Sequence, residues 1–486
     1  MRRPSFRLFA AVAAVSLLSS CQTAPGTGRS SFNIVSAEEE AKMGADAHPD
    51  ILKQFGGPYN DPVLQAYVAG IGQRLVDHTE TPAAAFHFTV LNSTIVNAMA
   101  LPGGYVYVTR GLLALADDEA ELAGVIGHEI GHVTARHTAQ RYSQAMAANI
   151  FTGVLGAVAG AVTGINALGD VAQLGANAYL QGFSRDQESE ADQLGIRYMN
   201  TSGWNPATMA TFLGKLRDES RLEAVLAGRS PDEVDQYSMF ASHPRTIDRV
   251  KDAAKVAGGG DGQGAIGRDQ YLGRVEGLIF GDDPNEGVIR GRVFSHPGLG
   301  FRFEVPPGFR LVNGAKAVTA QHADGSLIRF DMGPEAYGDL GNYLQSQWAK
   351  GVRLANIEAI EVGGLAGATA TARLNSNRGA IDARLVALRD GHSVYRFLFL
   401  TPPQVTAQQA EPLRRTTYSF ARLGEAERGQ VKPLRLHVIT AKPGDSVENL
   451  AEKMPLEGHK VERFRVLNGL TETQTISPGQ KLKTVI

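Results

Sequence analysis

The sequence predicts a multidomain α+β protein: a mainly helical domain with a small sheet, then a small α+β domain, then a βααβ module. Three observations predict it. Helical periodicity dominates from Ser36 to about Val256, the run Gly258-Gly259-Gly260-Asp261-Gly262-Gln263-Gly264 interrupts it, and strand-like alternation follows beyond Gly291. At 486 residues the chain is too long for one ordinary domain. Hydrophobic residues make up 43% and charged residues 20%, the balance of a folded protein rather than a disordered one.

The N-terminus reads as a leader over residues 1–20. Arg2, Arg3 and Arg7 form a positive region, and Leu8 to Leu18 form a short apolar core. Leu18-Ser19-Ser20-Cys21 resembles a bacterial lipobox, and Cys21 is the only cysteine of the chain. Lipid attachment at Cys21 is therefore expected, with Gln22 after it favouring the outer membrane by resemblance to Gram-negative lipoproteins. Residues 21–35, which include Gln22 to Ser31, read as a flexible tether. Removing the three leader arginines takes the formal net charge from -2 to -5. No basic excess points to nucleic acid, and that class of partner is set aside.

The helical domain spans 36–256. Asp61-Pro62 starts a helix through Leu64, Tyr67, Val68, Ile71 and Leu75. Phe86 to Leu91 and Tyr105 to Thr109 read as strands, the second set off by Pro102-Gly103-Gly104. Asp118 with Glu121 forms a capping box for the next helix. Tyr142 to Gly169 carries no charge over 28 residues, too few for the two membrane crossings, of about 40 apolar residues, that the site described next would need. It reads as a buried hairpin or a flap that touches the bilayer. Residues 257–290 are linker and connecting segment. An α+β domain of unassigned role follows over 291–423, with strands at Phe301 to Val305, Leu327 to Asp331 and Val394 to Leu400 and two helices.

The chemistry-bearing pattern is His128-Glu129-Ile130-Gly131-His132. Two histidines four residues apart lie one turn apart on one helix face, where both imidazoles can reach one metal ion with Glu129 beside it. A surface helix with two solvated histidines would share the pattern. Leu122, Ala123, Val125, Ile126 and Gly127 before it, and Ile130, Gly131 and Val133 within it, instead describe a buried helix in which unpartnered polar groups are costly. A catalytic zinc needs a third protein ligand. His137 lies nine residues after His128, about half a turn around a continuous helix, and Thr138 and Ala135 depart from the metzincin pattern; a supporting or structural role is expected for it. Downstream, Glu188 and Asp192 are again one turn apart, so that Glu188 can ligate and Asp192 can orient a ligand histidine, with Glu190 pointing elsewhere. A charge-rich helix start would look the same, and this segment alone leaves both readings open.

The His128 helix followed some sixty residues later by Glu188-Ser189-Glu190-Ala191-Asp192 resembles metallopeptidase family forty-eight, the gluzincins of the HtpX, CAAX prenyl endopeptidase and BepA-like kind. The resemblance runs from about Ser36 to Arg249 and takes in Asn97-Ala98, Pro102-Gly103-Gly104, Ser242-His243-Pro244 and Arg249. It implies a zincin fold, one zinc per chain held by His128, His132 and Glu188, and Glu129 as general base with Asp192 as support. It implies that His243 approaches the metal as an inhibitory ligand or an oxyanion donor, and that Arg249 sits near the cleft rather than in a plain helix ion pair. It makes Tyr105 to Thr109, and Tyr105, Val106 and Tyr107 within it, the edge strand that pairs with extended substrate. The zinc would supply a water of lowered pKa and a polarised carbonyl, while Glu129 takes a proton from that water and passes it to the leaving amine.

The last segment, 434–486, resembles a LysM module. Val438, Gly444-Asp445-Ser446-Val447, Leu450-Ala451, Leu467-Asn468-Gly469-Leu470 and Pro478-Gly479-Gln480-Lys481-Leu482 follow its order, although Pro455-Leu456-Glu457-Gly458 interrupts it and the entering strand reads as short. That implies peptidoglycan binding, with a purely structural cap as the other reading. The expected function is a zinc metalloendopeptidase that cleaves misfolded envelope proteins in periplasmic quality control, lipid-anchored at the outer membrane. The alternatives are a non-enzymatic envelope lipoprotein that binds peptidoglycan and client proteins, and a peptidoglycan hydrolase.

Overall fold

The structure, a computed structural model, describes residues 21–33, 35–81, 85–143, 182–231, 263–314, 316–335, 338–376 and 379–486. The chain divides into two compact units, one built from Met1–Leu278 with Leu436–Ile486 and the other from Ile279–Arg435.

In the first unit, the stretch expected as a loose tether is instead an antiparallel hairpin of β1 (Cys21–Thr23) and β2 (Ser30–Phe32). Small residues explain why it docks. Ala24 is buried, and Gly26 donates its backbone N–H to the Thr134 carbonyl at 3.0 Å. A Cβ on Gly26 would stand 2.7 Å from Thr134 Oγ1, so only glycine permits that approach.

Helix α1 (Ala37–Gln54) begins at Ser36 with a reciprocal capping box to Glu39. Helix α2 (Pro62–Val76) starts as its sequence predicts, with Asp61 accepting from the Leu64 N–H and Pro62 at the first helical position. A three-stranded sheet follows: β3 (His87–Leu91), β4 (Ala98–Leu101) and β5 (Tyr105–Thr109), in the order β3-β5-β4. Strand β5 pairs in parallel with β3 and antiparallel with β4. The expectation that Tyr105 to Thr109 is an edge strand is therefore wrong, because both of its hydrogen-bonding sides are filled. Tyr105 and Val106 share that central position, and buried Tyr107 places its hydroxyl 2.6 Å from Nδ1 of His48 on α1.

After α3 (Arg110–Leu115) comes α4 (Glu119–Thr134), buried over most of its length. Asp118 caps it by accepting from the Glu121 N–H at 2.8 Å. The Glu121 carboxylate reaches back to the N–H of Asp117 at 2.7 Å, one residue earlier than a reciprocal box with Asp118 requires. Helix α5 (Arg185–Thr201) packs along α4, followed by α6 (Ala207–Leu226) and α7 (Arg268–Val275). A Cβ on Gly195 of α5 would stand 2.8 Å from the His128 N of α4, so the two backbones run close enough for short side chains to meet.

The second unit opens with β6 (Ile279–Phe280), β7 (Val288–Arg290), β8 (Val293–His296), β9 (Phe301–Glu304), β10 (Arg310–Gly314), β11 (Ala317–Gln321) and β12 (Leu327–Gly333). It continues with α8 (Leu340–Tyr343), β13 (Ala355–Val362), β14 (Leu365–Ser376), β15 (Gly379–Asp390), β16 (Ser393–Thr401), α9 (Thr406–Tyr418), β17 (Ala421–Arg422) and α10 (Glu425–Gln430). Strands β10-β11-β12-β16-β15-β14-β13 make one antiparallel sheet and β17-β9-β8-β7 a second. Alternating strands turn Phe301, Phe303, Phe330, Phe397 and Phe399 into one apolar core with Phe420. The strands expected from alternation are all present.

The chain then returns to the first unit through β18 (Leu434–Thr440), α11 (Val447–Glu452), α12 (Lys460–Leu467) and β19 (Lys481–Val485), the βααβ order expected, with an entering strand of seven residues rather than a short one. Lys483 of β19 is fully buried. Its Nζ donates to the carbonyls of Ala114, Leu115 and Ala116 at 2.8, 2.9 and 2.7 Å and pairs with Asp117 at 3.0 Å. Lys215 of α6 joins at 2.9 Å from Asp117. Burial works against the Asp117 carboxylate, but Lys215, Lys483 and Arg268 outweigh it and hold its pKa below the ordinary range. Among the described residues no helix is long and apolar enough to cross a membrane; the uncharged stretch lies, beyond Ser143, outside them.

Candidate metal centre

Helices α4 and α5 bring together three side chains that sequence alone could pair only within each helix. Ligand-capable atoms of His128, His132 and Glu188 all lie within 4.8 Å of one another, and all three residues are buried. Nε2 of His128 and Nε2 of His132 are 3.0 Å apart. The Glu188 carboxylate faces both, at 3.6 Å from His128 and 3.5 Å from His132.

Each imidazole is held from behind. Oδ1 of Asp192 lies 2.8 Å from Nδ1 of His128, and because a carboxylate accepts, that nitrogen carries the hydrogen and Nε2 keeps its lone pair inward. Nδ1 of His132 lies 2.8 Å from Nδ1 of His137. Nε2 of His137 in turn lies 3.1 Å from the Glu190 carboxylate. His137 is thus not among the three clustered residues, as expected, but the premise behind that expectation does not hold. Helix α4 ends at Thr134, and Arg136 adopts φ 57°, a left-handed turn that swings His137 back under the helix instead of half a turn around it. Arg136 is held there by Glu40, Nε to Oε1 at 2.7 Å, and by the Val35 carbonyl at 2.8 Å. Burial lowers the pKa of His137 against the pull of Glu190, while the hydrogen bond from His137 lowers that of Glu190. Glu190 points away from the cluster, and what it points at is His137.

Phe183, missed in the sequence, stacks on the His132 ring with centroids 3.9 Å apart at 21°. Arg141 lies over the other ring of that pair, 4.5 Å from the Phe183 centroid. A lone aromatic residue just ahead of the Ser184 cap carries no local sign of its partner. Glu129 is buried beside the two histidines on α4. His243 and Arg249 lie outside the described residues, and Cys21 is the first residue of β1.

Two Nε2 atoms facing one carboxylate are the donor set of a tetrahedral zinc site with an open fourth position. The residues present fit that ion.

A family profile, peptidase family M48, matches residues 62–257, a span that contains every residue of this cluster. The chain carries a domain of that peptidase family. A second profile, the LysM domain, matches residues 439–484. Among curated relatives, the chain is similar to the beta-barrel assembly-enhancing protease of Escherichia coli K12, 34% identical over 243 residues, 49% of this chain and 48% of the relative. The protein of that name from Yersinia pestis is 32% identical over 238 residues, 48% of this chain and 47% of its own. The mitochondrial metalloendopeptidase OMA1 of Schizosaccharomyces pombe is 27% identical over 193 residues, 39% of this chain and 55% of the relative. The chain thus spans about half the length of the curated relatives it matches. A solved cyanobacterial PsbP from Synechocystis aligns over 28% of this chain and 98% of its own at TM-score 0.23 and 16% identity, a likeness on which nothing rests.

Proposed function

We propose that this chain is a zinc-dependent metalloendopeptidase that hydrolyses peptide bonds of envelope proteins in periplasmic quality control. The observation that carries the reading is the convergence of His128, His132 and Glu188, with Glu129 beside them, inside a peptidase-family domain. One zinc ion held by these three ligands would polarise the scissile carbonyl and lower the pKa of the attacking water. Asp192 holds the His128 ring so that its Nε2 lone pair points inward. Glu129 takes the proton of the attacking water and returns it to the leaving amine. As the family resemblance implies, we assign His243 an approach to the metal, as an inhibitory ligand or an oxyanion donor, and Arg249 a place near the cleft.

Extended substrate is assigned to β4 rather than β5. The bond from the Thr109 N–H to the Asn97 carbonyl sets the ladder, so Met99 and Leu101 bond to β5 while Ala98 and Ala100 turn their N–H and C=O to the other side. No described strand occupies that side, and an extended peptide can add there.

We further propose lipid attachment at Cys21, an outer-membrane location facing the periplasm, and contact of the LysM module with peptidoglycan glycan. Misfolded or stalled envelope proteins are the proposed substrates. The relatives named as beta-barrel assembly-enhancing proteases support an envelope setting. A non-enzymatic binding role finds no support in a site that retains both the ligand set and Glu129.

The test pairs metal analysis with cleavage. The expected result is one zinc per chain and chelator-sensitive cleavage of an unfolded casein-like substrate, with Glu129→Gln keeping the zinc and losing cleavage by at least about a hundredfold. Full activity in Glu129→Gln would overturn the assignment, and so would cleavage indifferent to chelator.

A further inference from the structure

We propose that His137 and Glu190 are positioning residues that fix which nitrogen of His132 faces the metal centre; this rests on the zinc-peptidase reading above. Two like nitrogens, Nδ1 of His132 and Nδ1 of His137, stand 2.8 Å apart. At that distance one hydrogen lies between them, and the question is which ring carries it. The Glu190 carboxylate can only accept, so the Nε2 of His137, 3.1 Å away, is a donor. In the neutral His137 ring that leaves Nδ1 as an acceptor. The hydrogen therefore sits on His132 Nδ1, and His132 Nε2 presents its lone pair to the space shared with His128 Nε2 at 3.0 Å and Glu188 Oε1 at 3.5 Å.

The two ligand histidines are thus oriented by different devices. His128 has one carboxylate, Asp192, directly behind it. His132 sits in the last turn of α4, and behind its Nδ1 stands a second imidazole, which relays the preference of Glu190 across a further 3.1 Å. The relay exists because the Arg136 turn returns His137 to the helix, and because Glu190 lies on α5 between Glu188 and Asp192 without sharing their face. Arg29 of the N-terminal hairpin, with Nη1 3.6 Å from Glu190 Oε1, closes its outer end. A carboxylate–histidine–histidine chain of this kind restricts ring rotation and tautomer of the inner imidazole, which is what a metal ligand needs. If the contacts only satisfied buried polar groups, chemistry at the position of His137 Nδ1 would not matter to the metal.

The full-length chain tests this with three variants, read by zinc affinity in competition with a chromophoric chelator and by thermal unfolding of the metal-free protein. His137→Leu fills the space without an acceptor and is expected to weaken zinc binding by about 10–100-fold. His137→Asn places an oxygen near the position of Nδ1 and is expected to recover most of that loss. Glu190→Ala, at a partly exposed position that leaves the fold intact, is expected to weaken zinc about tenfold. Equal zinc affinity in the Leu and Asn variants overturns the relay, as does wild-type affinity in Glu190→Ala. Should His137→Leu show no unfolding transition, Glu190→Ala alone decides. A wild-type chain that binds no zinc overturns the underlying metal reading instead, a result the chelator competition separates from failure of the relay.

Discussion

Asp192 takes hold of His128 through a contact that i, i+4 spacing made legible. Glu188 and Asp192 share one face of α5, His128 and His132 share one face of α4, and each pair could be read off a single helix. What the sequence withheld is where α4 stops. A wheel drawn through Thr134 puts His137 on the wrong side, and only the left-handed Arg136, pinned by Glu40 more than ninety positions earlier, reverses that. Loop ends of this sort depend on distant partners, so no local pattern announces them. At this scale Asp192→Ala is expected to weaken zinc by about 10–100-fold while leaving one site per chain, measured by chelator competition; unaltered affinity would remove Asp192 from the site.

Strand β5 was expected at an edge because the family resemblance implies it, with Pro102-Gly103-Gly104 marking only where the strand begins. Its own composition argues the other way: Tyr105-Val106-Tyr107-Val108 is an unbroken aromatic and β-branched run, and all but its first residue are buried. Pairing partners are long-range information, and the parallel partner β3 could not be seen from the turn. The plainer Ala98-Met99-Ala100-Leu101 strand has the open side. Ala100→Pro removes one donor from that side without touching a bond to β5, and proline is tolerated on edge strands. The expected outcome is a rise in KM of about five- to tenfold, the worth of one hydrogen bond, at unchanged zinc content. Equal KM values for the variant and the parent would return the substrate to another surface.

The start of α4 carries a pH signature. Burial, with Glu121 and Asp117 nearby, raises the pKa of the capping Asp118 from 3.8 to about 7. A carboxyl raised on folding is protonated in the folded chain and ionised in the unfolded one between those values. Its favourable contribution is therefore full below the unfolded pKa and is lost as pH rises toward 7. Asn still caps a helix, so Asp118→Asn is expected to flatten the fall in melting temperature between about pH 4 and 7. A slope as steep as the parent's would place the titration elsewhere.

The whole molecule is less linear than its sequence. The switch from helical to alternating periodicity was legible along the chain, and so was the βααβ order at 434–486 from its motifs. That this module shares a compact unit with the peptidase domain was not, because a single lysine in a strand looks like a solvated side chain. Lys483 is instead wrapped by three carbonyls and Asp117 just ahead of α4. Lys483→Met leaves Asp117 short of one cation in a buried place and is expected to cost about 3 kcal/mol or more, read from the denaturant midpoint. A loss under about 1 kcal/mol would show that Lys215 and Arg268 suffice.

The same lysine sets a timetable. Synthesis runs from the N-terminus, and Lys483 lies 367 positions beyond Ala116, with the whole of Ile279–Arg435 made in between. The second unit is a continuous stretch and can fold as soon as it emerges. The peptidase unit is completed last, since Lys483 joins Lys215 and Arg268 at the acidic entrance of its His128 helix only when the chain is nearly finished. A nascent chain thus carries its histidines and glutamates for most of its manufacture without the last counter-charge of their scaffold. Chains cut before Lys481 should accordingly take up zinc poorly and show no chelator-sensitive cleavage, and robust proteolysis by such a fragment would refute the delay.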